Sequence, residues 1–299
     1  RLVESLFAYD LIGFHTEEWL DLFRDYVVTE AGGELDGRGG LECFGRRLQT
    51  GIFPIGIDVE GFLKAWNSAG GVRAYDRMVA SSASRAMVVG VDRLDYSKGL
   101  EERLLGYEQF LQDNPSWRGG VFLLQVTPIS RDEVETYQEM RARLDALAGR
   151  INGEFAEMDW QPIRYLNRTY RRDQLAGLYR AARVGLVTPL RDGMNLVAKE
   201  YVAAQSPEDP GVLILSRFAG AAEQMGEALL VNPFSREELS DAILKALTMP
   251  LAERKRKWEA LMQVVRDTDV AHWRDAFVRA LKTTPVTTGD GPSTAAHAV

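Results

Sequence analysis

Thiols are almost absent from this chain: Cys43 is the single cysteine in 299 residues. A lone thiol excludes an internal disulfide and a cysteine-rich zinc site, and a reducing compartment, the cytoplasm, is the setting it predicts. Histidine is scarce too, at His15, His272 and His297. His15 reads as a loop or capping residue and His272, beside Trp273, as part of a helix, so no histidine-rich metal site is expected. No apolar run approaches the ~18 residues of a membrane-spanning helix and no signal-peptide pattern is visible, so neither a membrane nor secretion is predicted. Charge of one sign never accumulates: 36 basic and 43 acidic side chains give a net −7 without long runs, which speaks against a nucleic-acid partner. Nor is there a GxGxxG or a GxxxxGKS/T segment. Both glycine-rich phosphate cradles are therefore excluded, and any phosphate must be held by side-chain cations and helix ends.

What is present is an ordinary globular composition, long enough for two α/β domains or one large one. Arg1 opens directly into a helical pattern over residues 2–9 with no initiator Met and no N-cap, which reads as the interior of a longer protein. Residues 11–14 read as a strand, and Thr16-Glu17-Glu18 caps a helix running to about residue 30. Glycine-rich residues 31–40 read as loop, 41–55 as short strands and 59–83 as helical. A regular alternation then begins, with strands at 87–91, 120–126, 162–166, 184–188, 212–215 and 228–231. Helical patterns fall between them at 99–113, 131–149, 172–182 and 196–205, and another follows at 235–248. This order predicts an α/β fold with a parallel, doubly wound sheet. Helices at 250–266 and 268–282 follow, and a tail rich in Thr, Pro, Gly, Ser and Ala reads as disordered.

The most informative stretch is Pro189-Leu190-Arg191-Asp192-Gly193-Met194-Asn195-Leu196-Val197-Ala198-Lys199-Glu200. It joins a buried-type strand to a helix through a glycine, which lets backbone approach a ligand, and an asparagine, which suits an N-cap. A helix start offers unpaired N–H groups to a phosphate or to sugar hydroxyls. Helix rise over the seven residues from Gly193 to Glu200 separates them by about 10 Å on one face, near the distance from a sugar to the ribose of a sugar nucleotide. The alternatives at this level are an Asp192–Arg191 pair and a solvated Glu200.

A second cluster, Arg93-Leu94-Asp95-Tyr96-Ser97-Lys98-Gly99, follows the strand 87–91 at its carboxyl end, where open α/β sheets bind ligands. Arg93 can fork onto two oxygens and Lys98 supplies a compact charge, so together they can neutralise a diphosphate and stabilise it as a leaving group. The bland alternative is two surface cations on a turn. Arg131 stands in the analogous place after strand 120–126 and suggests a second anionic ligand, or else a pair with Asp132 or Glu133.

Taken together, these segments resemble the trehalose-6-phosphate synthases, a family of retaining glycosyltransferases with the two-domain GT-B architecture. The resemblance also rests on Tyr9-Asp10-Leu11-Ile12-Gly13-Phe14-His15-Thr16, Pro54-Ile55-Gly56-Ile57, Gly149-Arg150-Ile151-Asn152-Gly153 and residues 213–222, and covers all but the tail. It implies a complete C-terminal Rossmann-like domain over 67–266 that binds the nucleotide sugar. Residues 1–66 would be the last part of an N-terminal Rossmann-like acceptor domain, 267–283 a helix crossing back to that domain, and 284–299 a disordered tail. The family's earlier acceptor-binding segments would precede Arg1.

The resemblance implies the roles as well. Arg93 and Lys98 would hold the donor diphosphate and act in catalysis, and Asp192, Gly193, Met194 and Asn195 would hold the donor glucose. Leu196, Val197 and Glu200 would complete the nucleotide site, Glu200 on the ribose hydroxyls, and Arg131 would hold the acceptor phosphate. The base would sit around Tyr170 and Leu175. The implied reaction moves glucose from UDP-glucose to glucose-6-phosphate with no metal and no further cofactor. UDP, ADP and GDP remain open as the carrier, as does a homo-oligomer. The other readings are a glucosylglycerol-phosphate synthase, a related pseudo-glycosyltransferase, and a non-catalytic regulatory subunit that binds sugar phosphates.

Overall fold

The computed structural model describes residues 1–37, 39–128 and 135–285. Arg131, the predicted start of the helix at 131 and nearly all of the predicted tail lie outside the described residues. The chain forms two compact units, one of residues 1–55 with 271–299 and one of residues 56–270.

The first unit begins with a single-turn helix α1 (Leu2–Leu6), β1 (Leu11–Phe14) and α2 (Glu17–Thr29), whose N-cap Thr16 accepts a hydrogen bond from Trp19 N. β2 (Glu34–Leu35), β3 (Gly40–Cys43) and β4 (Arg46–Ile52) complete a sheet of order β1-β4-β3-β2, in which β1 runs parallel to β4 and the rest is antiparallel. Phe7, Val27, Leu41, Cys43 and Leu48 form its core. The buried Cys43 is a packing residue, as a lone thiol commonly is.

The second unit opens with α3 (Val59–Trp66) and α4 (Ala69–Ser82). It continues as β5 (Ala86–Val91), α5 (Leu100–Asp113), β6 (Val121–Val126), α6 (Glu135–Phe155), β7 (Ile163–Leu166) and α7 (Arg172–Ala181). β8 (Val184–Val187), α8 (Leu196–Ala204), β9 (Val212–Ser216), β10 (Leu229–Val231), α9 (Arg236–Thr248) and α10 (Leu251–Asp267) complete it. All six strands are parallel, in the order β10-β9-β8-β5-β6-β7. The expected doubly wound parallel sheet is therefore present. Nearly every residue of β5, β6, β8 and β9 is buried, as strands covered on both faces must be. Residues 59–66, grouped in sequence with the first domain, pack within the second unit, where Phe62 is fully buried and stacks on Tyr179 of α7. The last helix, α11 (Val270–Thr283), belongs to the first unit, where Phe277 packs edge-on against Phe53.

One boundary differs for a clear reason. α6 continues to Phe155 instead of stopping near 149, because Leu144, Ala148, Ile151 and Phe155 keep one buried stripe going. Gly149 and Gly153 suggest an end in sequence, but they face open space on the opposite side and interrupt nothing. Among the described residues no helix is long and apolar enough to cross a membrane.

Helix α8 lies tightly on the sheet because β8 has a glycine beneath it: a Cβ on Gly185 would stand 2.6 Å from the Tyr201 ring. Both the ring and the strand are fully buried, so neither can yield. Gly185→Ala is expected to lower unfolding stability by about 1–3 kcal/mol, the usual cost of overpacking, as a lower urea midpoint with an unchanged slope.

Candidate functional site

The strand order reverses between β5 and β8: β6 and β7 lie to one side of this point, β9 and β10 to the other. In open α/β sheets the crevice beyond the carboxyl ends at such a switch point is where ligands bind. The two loops singled out in sequence leave from these two strands. The structure brings Lys98 and Asp192 together at 2.6 Å, with both side chains mostly buried.

The loop after β5 is built by its own side chains. Asp95 accepts hydrogen bonds from Ser97 N (2.9 Å) and Ser97 Oγ (2.8 Å), closing a short 3-10 turn over Tyr96–Lys98. Burial works against the Asp95 charge, but the Ser97 bonds and the Lys98 and Arg93 charges outweigh it and hold the carboxyl below its usual range. Gly99 follows at φ +61°, and a Cβ there would meet Thr188 O at 2.5 Å. Only glycine suits both the left-handed turn and the close approach to the strand beside it. Arg93 is exposed and makes no ion pair or hydrogen bond among the described residues.

The loop after β8 is fastened on both sides. Ser97 O accepts from Leu190 N (2.8 Å) and Arg191 N (3.3 Å). On the other flank Asp192 N donates to Phe218 O, Gly220 N to Asp192 O, and Ala221 N to Met194 O. Asp192 Oδ2 takes both Lys98 Nζ and Asn195 Nδ2 (3.1 Å), while its Oδ1 accepts no hydrogen bond among the described residues. Asn195 caps α8 through Ala198 N at 3.1 Å and holds φ at +83°. That is a costly conformation for a residue with a Cβ, of the kind found at binding sites. The cap predicted at Asn195 is present. The helix starts only at Leu196, however, so the rise estimate of about 10 Å from Gly193 to Glu200 applied helical geometry to three residues that are not helical.

Leu196 and Val197 occupy the first turn of α8, where backbone N–H groups have no intrahelical acceptor. The carboxylate of Glu200, a residue half-buried one turn further, accepts no hydrogen bond among the described residues. Burial raises its pKa, and the nearby Arg172 charge opposes the rise. Among the described residues no group of three His, Cys, Asp or Glu side chains could hold a metal ion.

Two buried cations escaped the sequence reading. Arg103, with no exposed surface, donates from Nε to Thr188 Oγ1 (2.9 Å) and from Nη1 to Asp92 and to Gln125 Oε1 (3.0 Å); Nη2 lies 3.4 Å from Lys98 O. Burial pushes the Asp92 carboxyl up, and the Arg103 charge works to hold it down. A signal was there: Leu100, Arg103, Leu104 and Tyr107 share one helix face, and all are buried. Lys199, also without exposed surface, reaches Gln224 Oε1 at 2.7 Å, and burial pushes its ammonium down to about 8.

These two cations generate predictions. Arg103→Met leaves Asp92 as an unpaired buried charge and should cost about 3–5 kcal/mol, whereas Asp92→Leu/Arg103→Met should recover most of that loss, both read by urea unfolding. For Lys199 the folded pKa lies below the unfolded one, so between about pH 8 and 10 the unfolded chain binds more protons and stability rises with pH. The penalty is full below pH 8. Lys199→Met should be the more stable at pH 7, by an amount on the order of 2–3 kcal/mol, with the gap narrowing toward pH 10. A gap independent of pH would refute the buried-ammonium account.

Known proteins resemble this chain in sequence and fold. The glycosyltransferase family 20 profile matches residues 1–283, through the last described helix. The trehalose-6-phosphate synthase of Sinorhizobium fredii is 45% identical over 281 residues, which cover 94% of this chain and 61% of that protein. A crystal structure of a UDP-forming alpha,alpha-trehalose-phosphate synthase from Burkholderia xenovorans in complex with glucose-6-phosphate is 48% identical. It superposes with a TM-score of 0.89, over 94% of this chain and 63% of that one. The E. coli structure bound with UDP-2-fluoro glucose gives 41% identity and a TM-score of 0.90, over 94% and 62%. The chain thus spans about three fifths of the length of the curated relatives it matches. With a profile match running through every described element, and near-coincident backbones at this level of identity, the chain belongs to glycosyltransferase family 20.

Proposed function

We propose that this chain carries the donor site, and the last part of the acceptor half, of a retaining glucosyltransferase. The enzyme moves glucose from UDP-glucose to glucose-6-phosphate and forms α,α-trehalose-6-phosphate in the cytoplasm. The observation that carries this reading is the Lys98–Asp192 contact at the switch point, with Arg93 exposed on the same loop. A cation pair beside a carboxylate supports this reading, because a diphospho-sugar presents phosphate oxygens next to sugar hydroxyls. The relatives support it: one was solved with glucose-6-phosphate and another with UDP-2-fluoro glucose.

In this reading Arg93 and Lys98 hold the diphosphate and stabilise the charge that builds on it as the bond to the glucose anomeric carbon breaks. The Leu196 and Val197 N–H groups extend the cradle toward the nucleotide, and Glu200 receives the ribose hydroxyls, which supply the donors its carboxylate lacks. Asp192, Gly193, Met194 and Asn195 orient the glucose. The acceptor hydroxyl attacks on the face the diphosphate leaves, so configuration is retained, and its proton passes to the departing phosphate oxygen. Protein groups then position and stabilise, and neither a carboxylate nucleophile nor a metal is required. Arg131 binds the acceptor phosphate, and Tyr170 and Leu175 border the base.

The decisive test offers the full-length protein UDP-glucose with glucose-6-phosphate or glycerol-3-phosphate and resolves the products by mass. Trehalose-6-phosphate is expected. A glycerol product alone would assign the sister activity, and sugar-nucleotide binding without transfer would assign a regulatory role. Arg93→Ala should lower kcat by about 100-fold or more, as loss of a charge-stabilising donor does elsewhere; near-normal turnover would remove Arg93 from the site.

A further inference from the structure

A cavity of about 180 Å³ opens in the larger unit between α4, α7 and the β6–β7 side of the sheet. It shares no lining residue with Arg93, Lys98, residues 192–197 or Glu200. Its floor is apolar, made by Leu124, Leu166 and Leu178, and its rim is cationic, with Arg73 and Arg77 on α4 and Arg171 at the entrance to α7. No carboxylate lines it among the described residues, in a chain whose net charge is −7.

The arginines differ in their compensation. Arg171 is paired with Asp173 at 2.8 Å. The Arg73 and Arg77 side chains are exposed and make no ion pair or hydrogen bond among the described residues. Their four-residue spacing puts two like charges side by side on one helix face, an arrangement that costs a few tenths of a kcal/mol by itself. Asp76, on the same helix, neither lines the cavity nor pairs with them.

An apolar floor gains from covering apolar surface, and an unpaired guanidinium gains from a planar or tetrahedral oxyanion that it can grip with two N–H groups. The space is several times the ~30 Å³ share of one water, enough for a flat ring while an anionic group remains at the mouth. Tyr170 and the guanidinium planes offer stacking surfaces at the rim. We propose that this cavity binds an aromatic anion of the nucleoside monophosphate class, with the ring on the leucine floor and the phosphate between Arg73 and Arg77. The site stands whether or not the donor loops carry a sugar nucleotide. Tyr170 is common to its rim and to the base region of the donor reading, so the test must separate the two.

The probe is adenosine 5′-monophosphate, titrated calorimetrically into the wild type and into Arg73→Gln/Arg77→Gln, with and without saturating UDP. Both positions are exposed, and UDP titration of the variant checks that its donor site is intact. The expected result is one-to-one binding that persists at saturating UDP and that the double variant weakens by about tenfold or more, with adenosine alone and inorganic phosphate alone each about tenfold weaker. Absence of binding, unchanged affinity in the variant, or complete displacement by UDP would each overturn the proposal. Failure of the donor reading shows separately, as absence of UDP binding with the monophosphate still bound.

Discussion

One guanidinium fixes the carboxyl rim of the larger unit. Arg103 reaches Asp92 beyond β5, Gln125 on β6, Thr188 beyond β8 and the carbonyl of Lys98. Taking this charge out of water costs several kcal/mol, and the loss is offset only when the whole fork of donors finds acceptors. The neighbouring backbone makes room for it: a Cβ on Gly90 would meet Gln125 Oε1 at 2.4 Å and Arg103 Nη1 at 2.7 Å. Such a pair adds little net stability over a well-packed apolar alternative, but it does select geometry. Few placements of three strand ends and one loop can satisfy a rigid planar fork, and the strands on either side of the switch point are held in one of them.

The rest of the rim follows outward from that point. The Arg103–Lys98 contact sets the end of the 3-10 turn, and Ser97 in the same turn holds the loop after β8 by two backbone bonds. That loop is fastened in turn to the one after β9 by a parallel bridge between Asp192 and Ala219, and Lys199 reaches from α8 to Gln224 beside it. Binding groups carried on loops are thereby placed with the precision of a sheet, a condition for electrostatic stabilisation that needs no reorganisation. The left-handed Asn195 is held in the same way, by its own cap bond and by its bond to Asp192.

Much of this was legible in sequence, and the reasons for what was not are physical. Strands and helices alternate with distinct hydrophobic periods, so the parallel sheet could be read from Met87 onward. The two loops could be read because glycine, asparagine and cations at strand ends are expensive unless used. Arg103 was hidden because it follows Glu101 and Glu102, and three charges in a row look like a solvated face; only its register with Leu100, Leu104 and Tyr107 gives it away. Lys199 is hidden in the same manner between Ala198 and Glu200. The start of α8 was misjudged because chain spacing cannot show that Asp192 and Met194 bond to the backbone of the loop after β9 before the helix begins.

The Lys98–Asp192 pair raises an objection to the donor reading, since a lysine already neutralised has little left to offer a phosphate. The geometry answers it. An ammonium carries three donors, and the contact uses one of them on a single carboxylate oxygen, Oδ2. Asp192 Oδ1 carries no hydrogen bond among the described residues. The pair can therefore persist while each partner turns its unused capacity outward, Lys98 to a phosphate oxygen and Asp192 to a hydroxyl beside it. A diphospho-sugar presents those two groups next to each other, whereas a free phosphate or a free sugar presents only one. On the donor reading the ion pair therefore suits a joined ligand better than its pieces, and Arg93, without an ion pair among the described residues, would offset the extra negative charge that a diphosphate has over a monophosphate.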